Sequence, residues 1–169
     1  MIRLTAVVLL GSLAVVPVRP VRVGPAVPVT TAAQVVIYVA PVVPTRVVRR
    51  FTPPASQYGP GHRGADLAIP AAGAVRAAGP GRVAFAGAVA GRGVVVVEHP
   101  DGVRTEYEPL SPSVRAGAVV RSGEPIGRLA GQHAGCAEPC LHWGARYRGE
   151  YLDPMTLLER LGVVRLLPW

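Results

Sequence analysis

The stretch Gly61-His62-Arg63-Gly64-Ala65-Asp66 sets an imidazole and a carboxylate four residues apart among small and apolar neighbours. Such a pair is half of a metal site. Zinc takes about four nitrogen, oxygen or sulfur ligands at roughly 2.0–2.3 Å, and Gly64 lets the backbone turn between His62 and Asp66. A third ligand candidate is His142, in Cys140-Leu141-His142-Trp143-Gly144. Strand alternation there puts Cys140, His142 and Gly144 on one face and Trp143 on the other, toward a core. Three protein ligands leave the fourth position of a zinc ion for water, the arrangement used to hydrolyse amides. Each piece also has a plainer explanation. A His-x-x-x-Asp spacing arises often by chance, and a lone strand histidine is more often a hydrogen-bonded structural residue than a ligand.

The elements that would position these side chains are short strands. At 169 residues, half of them hydrophobic, the chain can bury one core. Turn signals recur at Ala72-Gly73, Gly79-Pro80-Gly81, Gly91-Arg92-Gly93, Pro100-Asp101-Gly102, Arg115-Ala116-Gly117 and Ser122-Gly123, with runs rich in Val, Ile and Phe between them. That pattern predicts an all-β antiparallel sheet or sandwich. Gly93 to His99 and Val103 to Pro109 form a hairpin about Pro100-Asp101-Gly102, with His99 exposed at its end. A short C-terminal helix runs from Pro154 to Leu161, capped by Asp153. Upstream, Arg3 and the apolar run Leu4 to Val16 have the make-up of a signal-peptide core and are too short to span a bilayer. The expected organisation is a signal peptide or anchor over residues 1–30, a Pro/Val-rich linker over 31–50 containing a short strand at Gln34 to Val39, and the domain over 51–160.

Taken together, His62-x-Gly64-x-Asp66-Leu67-Ala68-x-Pro70, the Gly-x-Val repeats that follow, Tyr107-x-x-Leu110 and Leu141-His142-Trp143 resemble the lysostaphin/LytM-type zinc endopeptidases, which cut peptidoglycan cross-bridges. The likeness runs from about Tyr58 to about Leu158. It implies a LytM-like β domain, zinc as cofactor, and His62, Asp66 and His142 as its ligands. It also implies two further histidines for proton transfer and oxyanion stabilisation, and neither is present. Pro109 stands where Tyr-x-His-Leu has its histidine, and Cys140 stands at the first position of His-x-His. A positioned acid or base contributes about 10²–10⁴ in rate, so these losses predict weak or absent turnover.

Candidate replacements are Tyr107, on the strand face that Pro109 would share, and His133, in a loop that can approach the site. Alternation turns Glu106 and Glu108 away from that face. Cys140 can be a metal ligand, a reactive thiol or the partner of Cys136, and in an exported protein with two cysteines the disulfide is the default. The formal charge of +8 comes entirely from arginine among the basic residues. Those arginines are scattered, which suits solubility and adhesion to acidic wall polymers and argues against nucleic acid as a partner. Three functions follow: an exported wall peptidase domain with impaired hydrolysis, a competent zinc endopeptidase, or a non-catalytic adaptor that binds the wall or another hydrolase. The protein would contact a membrane only if residues 1–30 stay attached.

Overall fold

The computed structural model describes residues 35–56 and 59–159. The expected signal segment lies outside the described residues. The elements are β1 (Val47–Arg49), β2 (Gly64–Ala68), β3 (Ala74–Arg76), β4 (Gly81–Val89), β5 (Arg92–Glu98), β6 (Val103–Glu108), β7 (Leu110–Pro112), β8 (Val119–Val120), β9 (Pro125–Leu129), β10 (Cys140–Tyr147), β11 (Glu150–Leu152) and α1 (Met155–Glu159). An antiparallel eight-stranded sheet runs β1-β2-β10-β6-β5-β4-β8, with β11 continuing alongside β10, and a three-stranded sheet runs β3-β9-β7. The all-β class is as the turn spacing predicts, with α1 the one helix among the described residues. Helix α1 begins where Asp153 Oδ1 accepts the N–H of Met155 at 3.0 Å.

The centre of the large sheet is β10, and its register explains the rest. Trp143 pairs with Ala65 on β2 and with Tyr107 on β6, and Tyr107 pairs with Val95 on β5. All four are fully buried, so this row of side chains builds the core. The next row has the opposite facing: Asp66 pairs with His142, and His142 with Glu108. Beside it, Gly64, Gly144, Glu106 and Val96 form a parallel row. Because side chains alternate with a period of two, a slip of one residue would exchange the core row with the polar one.

This register corrects the expectation for Tyr107. Alternation that includes Pro109 puts Tyr107 on the site face, but β6 ends at Glu108 and the chain leaves at Pro109 for β7 in the other sheet. Tyr107 therefore points into the core, and Glu106 and Glu108 take the polar face. The Tyr107 hydroxyl accepts the N–H of Ala78 at 2.8 Å and lies 2.8 Å from Thr105 Oγ1. Burial pushes its pKa up to about 12, against its hydrogen bonds with Thr105 and Ala78. His99, expected at the surface, ends the same network. Its Nδ1 donates to the Pro80 carbonyl at 2.8 Å, its Nε2 meets Thr105 Oγ1 at 2.8 Å, and burial lowers its pKa. Neutral imidazole thus accepts, at Nε2, the end of a directed chain of hydrogen bonds that runs from the Ala78 N–H through the Tyr107 and Thr105 hydroxyls.

Residues 35–50 also differ from the linker expected of them. Val36, Tyr38 and Val42 are buried in the core, while Val35 and Ile37 are exposed. The alternation expected for Gln34 to Val39 is present over the described residues, but they form no strand. Tyr38 packs edge-on against His99 with ring centroids 5.0 Å apart and donates to the Asp101 carboxylate at 3.0 Å. This segment covers the far side of the core, and prolines at 41 and 44 do not prevent that because its backbone needs few ladder partners.

Removing only the phenol oxygen separates a core role for Tyr107 from a catalytic one. Tyr107→Phe should cost about 1–3 kcal/mol in urea or thermal denaturation, because the Ala78 N–H loses its acceptor. Zinc content and peptidase turnover should stay within about twofold of wild type.

Candidate metal centre

His62 lies between β1 and β2, held by paired backbone hydrogen bonds with Thr52 at 2.8 and 3.0 Å. Its Nδ1 is 2.7 Å from the Arg50 carbonyl oxygen. A carbonyl only accepts, so Nδ1 carries the proton and Nε2 presents a lone pair. That lone pair faces Asp66 Oδ1 at 3.0 Å and His142 Nδ1 at 3.1 Å. His142 Nδ1 is in turn 2.8 Å from the same carboxylate oxygen. All three residues are buried. One proton on His142 Nδ1 can satisfy only one of its two facing acceptors, whereas a cation at the centre satisfies all three atoms. Two imidazole nitrogens and a carboxylate are also the donor chemistry zinc favours. The residues present therefore fit a zinc ion.

Electrostatics agree with a charged carboxylate. Burial raises the pKa of Asp66, but the His142 hydrogen bond and the proximity of His133, His62 and His142 outweigh it and hold the group below the usual range.

A fourth side chain joins the cluster from the loop between β9 and β10. His133 Nε2 lies 3.6 Å from Asp66 Oδ1, and its Nδ1 lies 3.6 Å from Glu108 Oε1. Its ring stacks on His142 with centroids 4.6 Å apart and planes inclined by 23°. Ligand atoms of His62, Asp66, His133 and His142 all lie within 4.8 Å of one another. His133 Nδ1 is buried with no hydrogen-bond partner. Burial and then the neighbouring His142 lower the His133 pKa, while Asp66 and Glu108 act against them.

Cys136 and Cys140 form a disulfide, with Cα atoms 6.4 Å apart. Of the three roles open to Cys140 the structure takes the bridge, which leaves neither a free thiol nor a thiolate ligand at the site.

The cluster opens into a cleft of about 530 Å³. Its walls carry Arg49, Arg63, Arg92, Arg104 and Arg146 together with Tyr151. The guanidinium groups of Arg63 and Arg146 lie 5.4 and 4.6 Å from the Tyr151 ring centroid, close enough for cation–π attraction. Arginines that are scattered in sequence are thus gathered around one opening. Glu108 is 3.3 Å from Arg92 Nε. Burial, then the Glu108 charge, raises the pKa of Glu106. Glu106 and Glu108 are the cleft residues that sequence reasoning set aside, and the β10–β6 register is the signal that locates them.

The profile of peptidase family M23 matches residues 60–154, spanning both motifs of the site. The chain belongs to this family. Its fold is the lysostaphin/LytM type that the motifs resemble. A Mycobacterium tuberculosis relative of uncharacterised function is 46% identical over 130 residues, covering 74% of this chain and 52% of the relative. The DD-carboxypeptidase/endopeptidase Mpg of Neisseria meningitidis is 34% identical over 97 residues, covering 57% of this chain and 22% of Mpg. A zinc-containing peptidase of Vibrio cholerae, known from its crystal structure, superposes with a TM-score of 0.54 at 27% identity, covering 69% of this chain and 38% of that one. The chain thus spans about half the length, or less, of the curated relatives it matches.

The site's geometry makes metal binding sensitive to single atoms. His142→Ala should abolish stoichiometric zinc in the purified, zinc-reconstituted protein, as measured by elemental analysis. Gly64→Ala should weaken zinc binding by about 10-fold or more, because an added Cβ would sit 2.8 Å from the His142 ring and would also run into the Trp143 carbonyl. Full zinc retention in His142→Ala would remove His142 from the ligand set.

Proposed function

We propose that the chain is an exported, zinc-dependent endopeptidase acting on peptidoglycan peptides, with His133 in place of the family's two absent histidines. The observation that carries this reading is the position of His133 against the same carboxylate that joins His62 and His142, with Glu108 at its other nitrogen. Family membership and the likeness to Mpg support the substrate class. Export is supported by the disulfide and by the apolar run after Arg3. Among the described residues no helix is long and apolar enough to cross a membrane.

His62, Asp66 and His142 would hold the zinc ion. Bound there, zinc supplies an acidified water and polarises the scissile carbonyl. The chain's own residues provide the proton path and the binding surface. Glu108 keeps the proton of His133 on Nδ1, so that Nε2 turns its lone pair toward the reacting centre. Nε2 takes the proton released by the attacking nucleophile and returns it to the leaving amine as the peptide bond breaks. The 3.6 Å separation of His133 Nδ1 from Glu108 shortens to a hydrogen bond when substrate fills the cleft, as catalytic contacts in free enzymes commonly do. Tyr107 takes no part, since it faces the core. The arginines at the cleft mouth suit the carboxylates of wall peptides.

His133→Ala should lower kcat/KM for release of new amino groups from peptidoglycan by about 10²–10⁴, with zinc content unchanged. Loss of zinc with the imidazole would instead make His133 a fourth ligand and the centre a closed structural site. Zinc-loaded wild-type protein that binds peptidoglycan without cutting it would support the adaptor function, which the absence of histidine at Pro109 and Cys140 favours.

A further inference from the structure

The loop that carries His133 has little else to hold it. It leaves β9 at Ala130, whose N–H donates to the Pro109 carbonyl at 3.1 Å, and returns at Pro139, whose carbonyl accepts the Ile69 N–H at 3.2 Å. Between those ties no apolar side chain is buried: Gly131, Gln132, Ala134, Gly135, Ala137 and Glu138 are exposed. The Arg46–Glu138 ion pair at 2.7 Å is solvent-exposed on both sides and contributes little. Gly131 and Gly135 have φ of 96° and 91°, so the backbone at both positions is of the kind that only glycine adopts freely. The His133 ring makes no hydrogen bond through its buried Nδ1.

One strong tether remains. Cys136 N–H donates to the His133 carbonyl at 3.3 Å, closing a turn, and Cys136 is bonded to Cys140. Cys140 is the first residue of β10, fully buried, paired with Ala68 and two residues before His142. The bridge therefore fixes the turn bearing His133 to the strand bearing His142. It also lays Cys136 Sγ 3.6 Å from Asp66 Oδ2, over the outer side of the cluster.

We infer that the Cys136–Cys140 disulfide is a positioning element of the site, setting His133 against Asp66 and Glu108. Resting on the reading of His133 given above, this assigns the bridge a role separate from holding the fold. The zinc ligands stand on β2, on β10 and on the Thr52-paired segment, none of which needs the bridge. Without the disulfide the ligands stay and His133 leaves.

The test compares wild type with Cys136→Ser, which keeps the side chain of β10 in place, and with Cys136→Ser/Cys140→Ala, which removes any thiol able to capture zinc. The first readout needs no turnover. Zinc-free protein is treated with diethyl pyrocarbonate and modification of each histidine is followed by mass spectrometry, with buried His99 as internal reference. His133 should react about tenfold faster in both bridge-free variants, as a side chain released by local opening does, while His99 is unchanged. A His133 equally protected with and without the bridge overturns the inference. A faster His99 would mean that the whole fold had loosened, and this too overturns it.

The second readout combines the variants with His133→Ala in zinc-loaded protein. Removing the bridge should lower kcat by as much as His133→Ala does, with KM and zinc content little changed, and His133→Ala should cause no further loss in the bridge-free chain. Bridge-free protein that keeps full kcat, in a chain where His133→Ala still abolishes it, contradicts the inference. If His133→Ala leaves wild-type kcat unaltered, the proposed role of His133 fails, and the protection experiment still decides whether the bridge places its ring.

Discussion

The structure depends above all on the register of β10 between β2 and β6. Pairing Trp143 with Ala65 and Tyr107 sends one row of side chains into the core. The same pairing forces Asp66, His142 and Glu108 into a row on the other face. Packing and chemistry are thus specified together, since apolar burial fixes the register and the register fixes which polar groups meet. Gly64 permits it, because no Cβ fits between β2 and the His142 ring.

The centre so formed joins a rigid part to a tethered part. His62, Asp66 and His142 are placed by backbone ladders and by the contact of His62 with the Arg50 carbonyl, which fixes the ring's tautomer. His133 is placed by a loop and a disulfide. A metal ligand set must hold its donors within tenths of an ångström, which strands do well. The proposed role of His133 as a proton carrier needs movement between partners, and a loop with few buried contacts suits it.

Much of this was legible in the chain. His62 and Asp66 stand four apart in a family motif, and alternation alone put His142 and Trp143 on opposite faces of one strand. The all-β class followed from the spacing of turns, and the disulfide from two cysteines in a chain expected to be exported. Glu106, Glu108 and Tyr107 face opposite to the expectation because a period-two pattern does not extend to Pro109, where the strand has already ended. The burial of His99 is not legible locally, because nothing beside it in sequence shows that Tyr38, from a stretch resembling a linker, packs against it. For His133 the sequence offered only a histidine in a Gly-rich loop, and loops carry no periodicity from which a side chain's direction can be deduced.

In the proposed centre two imidazoles and one carboxylate bind the metal while a third imidazole beside them stays free to carry protons. X-ray absorption at the zinc edge of the zinc-loaded protein counts imidazole ligands directly. Two imidazoles are expected, with oxygen donors completing the shell, and the same spectrum in His133→Ala. A third imidazole in the wild-type spectrum that disappears in His133→Ala would contradict it.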